Sequence, residues 1–214
     1  MHVDDFLTYI QRDEDRIYLR SRLLPVSMRL FQTSLRYRHI VLECCEYLRS
    51  VALSELEGYS RPYGTSGANL ALPFNIVGVV VNRGTPGARC HIMINPEILE
   101  FGGPLRYVRS NCGSVRLEKP LEVQRYSVVR VRYWDEQGHQ QERIFDSSEG
   151  SYTIQHEVDH NLGVLITDYG RIIADEHRTE TQSPLREVHK VREDQRGLVS
   201  SDGSSATTFQ PGLL

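Results

Sequence analysis

The sequence predicts one α+β domain in which antiparallel or mixed β-sheets surround a late, C-terminal helix. Three observations carry this. Apolar residues recur at helical spacing early in the chain, strand-type runs fill the middle, and a second helical segment near residue 160 carries His156-Glu157-x-x-His160 between apolar flanks. No internal repeat is present. The chain divides into a mostly helical N-terminal extension over 1–60 packed on the core, a core over 61–175, and a polar C-terminal segment over 176–214.

Each element follows from local pattern. Residues 1–35 mix charge with apolar residues and read as partly helical without a clear period. From His39 to about Glu57, Ile40, Val41, Cys44, Tyr47, Leu48 and Val51 form one apolar stripe, the mark of a helix packed on a core. Arg61-Pro62-Tyr63-Gly64-Thr65-Ser66-Gly67 has loop chemistry. Ile76–Val81 is a strand run, and Cys90–Ile94 is another that Asn95-Pro96 should stop. Ser127–Trp134 alternates Val128, Val129, Val131 and Tyr133 with Arg130 and Arg132. Asp135-Glu136-Gln137-Gly138 then turns the chain into Gln141–Phe145 as a hairpin partner. The late helix is expected from about Glu149 to Leu162, a further exposed helix over Thr181–Asp194, and a disordered tail over Gly197–Leu214.

Bulk properties narrow the function classes. The 214 residues are 39% hydrophobic and 25% charged, with a formal net charge of −3. That balance gives no footprint for nucleic acid or an anionic membrane surface. No apolar run approaches the roughly 18 residues of a membrane span. The amino end, with Arg12-Asp13-Glu14-Asp15-Arg16, is too charged for a signal peptide. Cys44, Cys45, Cys90 and Cys112 show no disulfide spacing, so a reducing, cytoplasmic location is expected.

The chemistry concentrates in Gln155-His156-Glu157-Val158-Asp159-His160. Two histidines four apart on a helix share one face and can bind one metal ion, and the Glu beside the first can take a proton from water that the metal activates. The bare pattern also arises on surface helices with two solvated histidines. Ile154, Val158, Leu162 and Leu165 argue instead that this helix is buried, where its ionisable groups need partners. A catalytic site of this kind needs a third ligand and an open position. A metzincin-type third histidine is excluded, because Ile166 occupies its place. The residues leave open a downstream Glu176, Glu180 or Glu187, or an upstream Cys112 in Ser110-Asn111-Cys112-Gly113-Ser114.

These segments, in order, resemble the peptide deformylase family. Gln155–His160 matches its Gln-His-Glu-x-Asp-His motif. Ser110–Ser114 lies over Glu-Gly-Cys-Leu-Ser and keeps the Cys and final Ser, Asn95-Pro96-Glu97-Ile98 stands intact, and Arg125 lies where the family has an Arg. The Gly-x-Gly-x-Ala-x-x-Gln motif overlays Gly67–Phe74, with Asn69 for the second Gly and Phe74 for the Gln, beside the amide of Asn75. The resemblance spans roughly residues 64–169. It implies a deformylase-like fold and ligands Cys112, His156 and His160. The implied metal is one divalent ion, Fe(II), with zinc, nickel or cobalt as replacements. Glu157 is the implied acid/base and the backbone N–H of Gly113 an oxyanion donor. Asn69, Asn111 and Tyr152 fall at positions expected to bind substrate. The implied reaction removes formyl from the N-terminal methionine of new polypeptides, and the family alone adds the ribosome exit region as a partner. The alternatives are another N-acyl or N-formyl substrate, a His-Glu-x-x-His zinc peptidase, or a metal-binding inactive homologue.

Overall fold

The computed structural model describes residues 22–53, 64–81, 86, 89–115, 117 and 119–172. The expectations for residues 1–21, for the end of the first long helix past Leu53, for the start of the 61–67 loop and for everything beyond Ile172 lie outside the described residues; over Gly64–Ser66 the loop expectation is overturned, because these residues pair with Val77–Val79 as a strand. Glu176, Glu180 and Glu187 are among these.

A short helix α1 (Met28–Thr33) leads into the longer α2 (Leu35–Leu53). Ser27 caps α1 by accepting a hydrogen bond from the Leu30 N–H. α2 buries Val41, Cys45, Leu48, Val51 and Ala52, the stripe that helical periodicity defines, although it starts at Leu35, four residues before the expected His39. Six strands follow among the described residues: β1 (Gly64–Ser66), β2 (Ile76–Val81), β3 (Arg89–Ser110), β4 (Leu121–Trp134), β5 (Gln140–Asp146) and β6 (Arg171–Ile172). Helix α3 (Ser151–Asn161) and a 3-10 turn (Ile166–Asp168) lie between β5 and β6. The strands pair antiparallel in the order β1-β2-β3-β4-β5, with β6 also against β4. The fold is α+β, with helices on both faces of an antiparallel sheet.

The two faces of this sheet explain why β2 is apolar throughout. Ile76, Ile92 and Ile94 point to the α2 side and join Val41, Cys45 and Leu48 in one cluster. Val77, Val79 and Met93 point the other way and join Ile154 and Val158 of α3, with Val129, Val131 and Phe145. The period of two along each strand sorts the side chains between the two helices. Burying Ile154 and Val158 stabilises α3 against the sheet by about 1.5–3 kcal/mol each. The close fit is visible at Gly64, where an added Cβ would meet Thr153 Cγ2 at 2.6 Å and Glu157 Cγ at 3.1 Å. β1 therefore runs directly against the face of α3 that carries Glu157.

Strand β3 departs from the sequence expectation. Asn95-Pro96 does not end it; the strand runs on to Ser110. The register shifts between Ile94 and Glu97, where Asn95 takes φ 52°. That bulge absorbs the proline, which cannot donate to the ladder. The Asn95 side chain accepts from the Val26 N–H at 2.7 Å and donates to its carbonyl at 2.8 Å, tying the segment before α1 to the sheet. β4 likewise begins at Leu121, six residues before the alternation becomes clean at Ser127. No described helix is long and apolar enough to cross a membrane.

Gly64→Ala should force β1 and α3 apart and destabilise the fold by about 1–3 kcal/mol, read as a lower urea midpoint. An unchanged midpoint would show that the strand and helix have slack at this contact.

Candidate metal centre

Helix α3 is held in place by strand β4, not by propensity alone. β3 occupies one edge of β4. On the other edge, β5 pairs over Val128–Trp134 and β6 over Leu121 and Glu122, which leaves a gap at residues 123–127. Gln155 fills part of that gap. Its Oε1 accepts from the Tyr126 N–H at 3.2 Å, and its Nε2 donates to the Tyr126 carbonyl at 2.8 Å. Ser151 Oγ donates to the Ser127 carbonyl at 2.9 Å. Two helix side chains thus replace the missing strand partner for buried backbone groups.

A buried ion pair fixes the next turn. Arg125 Nη1 lies 3.0 Å from Asp159 Oδ2, and both side chains are almost wholly buried. The Tyr169 hydroxyl donates to the same Asp159 oxygen at 2.8 Å and also meets Arg125. At the end of α3, Asn161 accepts from the Ala68 N–H and donates to Asn75 Oδ1 at 2.8 Å and to the Ile76 carbonyl. These bonds set the rotation of α3 about its axis, and hence the direction of His156, Glu157 and His160.

On that face, Cys112 Sγ lies 3.2 Å from His160 Nε2, which lies 3.1 Å from His156 Nε2. Ligand atoms of the three residues all fall within 4.8 Å of one another. Two ligand atoms bound tetrahedrally to one zinc-like ion stand about 3.3–3.6 Å apart, so this cluster is sized for a single cation. The chemistry of the donors agrees. Desolvation pushes His160 down to about 4 and, with the neighbouring His160, holds His156 well below its ordinary value. Both imidazoles are therefore neutral, the form that ligates. Burial pushes the Cys112 thiol up to about 11, offset in part by the neighbouring Ser114 and Val115. A bound cation beside the sulfur would favour the thiolate over the thiol. The set of one sulfur and two ring nitrogens fits a divalent transition metal.

Glu157 is buried beside this cluster, and burial pushes its carboxyl up to about 8, offset in part by Ser66 and by the Arg125 charge. Its Oε2 has no hydrogen-bond partner among the described residues. A desolvated carboxyl that exchanges a proton near neutrality is suited to general acid/base work.

With this geometry in hand, comparison with known proteins is decisive. The Polypeptide deformylase family model matches residues 66–176, just over half of the chain. The chain belongs to the polypeptide deformylase family. A peptide deformylase of Nitrobacter hamburgensis is 38% identical over 118 residues, which cover 52% of this chain and 65% of that protein. One of Thermosynechococcus vestitus is 33% identical over 136 residues, covering 61% and 65%. The match therefore spans slightly under two thirds of the length of these relatives. Among solved structures, the Met-Ala-Ser-bound class I type b peptide deformylase of Acinetobacter baumannii superposes with a TM-score of 0.55 at 23% identity, covering 71% of this chain and 92% of that one. A probable peptide deformylase from Synechococcus phage S-SSM7 gives 0.55 at 21% identity, covering 73% and 95%. Both share the fold.

Positions where this deformylase-family chain departs from the family motifs have definite places. Phe74 packs edge-on against Tyr37 at 5.9 Å and joins the α2 cluster. Asn75, its neighbour, accepts on Oδ1 from the Asn161 side-chain amide. Asn69 is buried and bonds Ser66 and Ser114. Asn111 is exposed next to Cys112, Gly113 is exposed on its other side, and Tyr152 is half-buried in the first turn of α3. Sequence reasoning did not single out Ser66, the bond between Asn69 and Ser114, Asp159 or Asn161. The Asp and Gln of the motif were visible as motif letters, but their partners on β4 lie about 30 residues away and carry no local signal.

Arg125→Leu should leave the Asp159 carboxylate buried without its cation and cost about 3–5 kcal/mol in urea unfolding. The double variant Arg125→Leu/Asp159→Leu should recover a large part of that loss. Strict additivity of the two single changes would show that the pair does not act as a unit.

Proposed function

We propose that this chain is a metal-dependent amide hydrolase that removes the formyl group from N-formylmethionyl peptides of newly made proteins. The observation that carries the reading is the meeting of Cys112, His156 and His160 beside the buried carboxyl of Glu157. Family membership supports the same reading. The three residues are the proposed ligands of one divalent ion, Fe(II) by family resemblance, with zinc, nickel or cobalt able to substitute. Bound there, the ion supplies Lewis acidity and lowers the pKa of water.

The protein groups account for the rest of the reaction. Glu157 takes the proton of the attacking water as its oxygen joins the formyl carbon. When the C–N bond breaks, Glu157 returns that proton to the peptide nitrogen, and the products are formate and a free amine. The Gly113 N–H, beside the sulfur ligand, is the proposed donor to the oxyanion between these steps. Tyr152, one turn before His156, and the exposed Asn111 are the proposed substrate contacts. Phe74 and Asn75 are turned to α2 and to Asn161, so the side-chain amide that the family motif offers is missing here. One lost oxyanion donor costs about 10²–10³ in rate by analogy, which leaves a slow enzyme. The proposed setting is the cytoplasm, with nascent chains at the ribosome exit region.

The Acinetobacter neighbour is described with Met-Ala-Ser bound, which makes formyl-Met-Ala-Ser the natural probe. Anaerobically prepared protein loaded with Fe(II) or Ni(II) should release formate from it. Absence of turnover on every N-formyl peptide tried would sink the deformylase reading. Glu157→Gln should keep its metal and lose about 10²–10⁴ in kcat.

Cys112→Ala should lose most of its metal. Full retention would instead favour a peptidase-type centre completed by a Glu after residue 172. The two variants therefore report separately on acid/base chemistry and on the ligand set.

A further inference from the structure

The three proposed ligands come from two separate segments. Cys112 stands on the chain between β3 and β4, while His156 and His160 stand on α3. The 3.2 Å between Cys112 Sγ and His160 Nε2 is therefore a gap between segments. The turn after β1 lies against both of them. On the helix side, the Ala68 N–H donates to Asn161 Oδ1 at 3.2 Å, one residue past His160. On the sulfur side, Asn69 Nδ2 donates to Ser114 Oγ at 2.6 Å, two residues past Cys112. The Ala68 side chain repeats the pattern, since it packs in one cluster with Leu165 from beyond α3 and Val115 from beyond Cys112. Consecutive residues of one turn thus hold both ligand-bearing segments.

The turn is braced within itself. The Gly67 N–H donates to the Ile76 carbonyl at 2.8 Å, and the Gly67 carbonyl accepts from the Leu72 N–H at 2.9 Å. Asn69 Oδ1 accepts from the Ser66 N–H at 2.8 Å and from the Ser66 hydroxyl. Both amide orientations are forced. A backbone N–H only donates, so the Asn69 atom facing Ser66 N and the Asn161 atom facing Ala68 N are oxygens. Asn161 Nδ2 then donates to Asn75 Oδ1 at 2.8 Å and to the Ile76 carbonyl at 3.1 Å, which uses both of its protons. Ser66, Ala68, Asn69, Ser114 and Asn161 are all buried, so each bond that is cut leaves a desolvated polar group behind.

We propose that residues 66–69 act as a strut that sets the distance between the sulfur and the two imidazoles, with Asn69 and Asn161 as its positioning residues. This rests on the metal-site reading above. A cation binds more tightly to donors that already stand at the right separation, because no binding energy is spent on bringing the segments together. Neither asparagine is a ligand. Each acts through the segment it holds, and losing either end cuts the tie.

Cobalt(II) binding by the full chain tests this without any substrate. Asn69→Ala cuts the strut from the sulfur segment, and Asn161→Leu cuts it from α3. Cobalt affinity should fall roughly 10–100-fold in each. The double variant should lose little more than the larger single loss, because one break already frees the gap. Ser114→Ala should match Asn69→Ala, whereas Ser114→Thr keeps an acceptor hydroxyl and should bind as the unsubstituted protein does. The decisive background is Cys112→Ala. There only the imidazole pair remains and the gap no longer matters, so neither asparagine change should move the residual cobalt affinity by more than about twofold. Should Asn161→Leu not fold, Asn69→Ala and Ser114→Ala carry the same comparison.

Unchanged cobalt affinity in folded Asn69→Ala overturns the strut. So does an equal loss in the Cys112→Ala background, which is what a general loosening of α3 would give. Cys112→Ala that binds cobalt as tightly as the unsubstituted protein overturns the strut together with the ligand set. Tight, Cys112-dependent cobalt binding with no release of formate from formyl-Met-Ala-Ser would leave the strut standing and remove only the substrate reading.

Discussion

Helix α3 presents an improbable set of groups to the protein interior: an amide, a carboxyl, a second carboxyl and an imidazole within six residues, with another imidazole at the rim. Desolvating such a face costs more than Ile154 and Val158 return, unless each polar group meets a partner. The Arg125–Asp159 pair is the central one of these meetings. It sets a cation of the sheet against an anion of the helix where water does not reach, with the Tyr169 hydroxyl donating to the same carboxylate oxygen. Because Asp159 is flanked in sequence by Val158 and His160, its capture by β4 leaves the helix a single rotational setting. In that setting Val158 packs into the sheet and His160 turns to Cys112.

The other restraints on α3 act in the same sense along its length. Ser151 and Gln155 plug the stretch of β4 that neither β5 nor β6 covers, and Asn161 grips the 68–76 segment. The helix is thus pinned at its start, middle and end by side chain to backbone bonds or by charge. Geometry this fixed suits a site whose donors must stand within a few tenths of an ångström of their places before a cation arrives. The low dielectric that makes those bonds strong is also what keeps both imidazoles neutral and raises the carboxyl of Glu157.

Local pattern in the sequence was enough for β2, the β4–β5 hairpin and the late helix, since each carries its own period or turn residues. It failed where long-range partners decide. Asn95-Pro96 reads as a strand end, yet the chain continues in the sheet because a bulge absorbs the proline and Val26 ties down the asparagine. The first turns of α2 and of β4 lack clean alternation and are held by what packs on them. At the site, the two histidines were legible from their spacing. The choice of Cys112 over a later Glu came only through resemblance, as no spacing rule links residues 112 and 156. Asn69 and Ser114 were visible as motif positions, but their bonding to each other and to Ser66 was not, since only the fold brings residues 66, 69 and 114 together.

Gly113 follows the sulfur residue and faces open space, with no atom within 4 Å of where a Cβ would stand. The family motif carries a leucine at the corresponding place. The backbone beside the sulfur is accordingly bare, without the aliphatic flap that a branched side chain would drape there, and a side chain could be added at this position without meeting a neighbour.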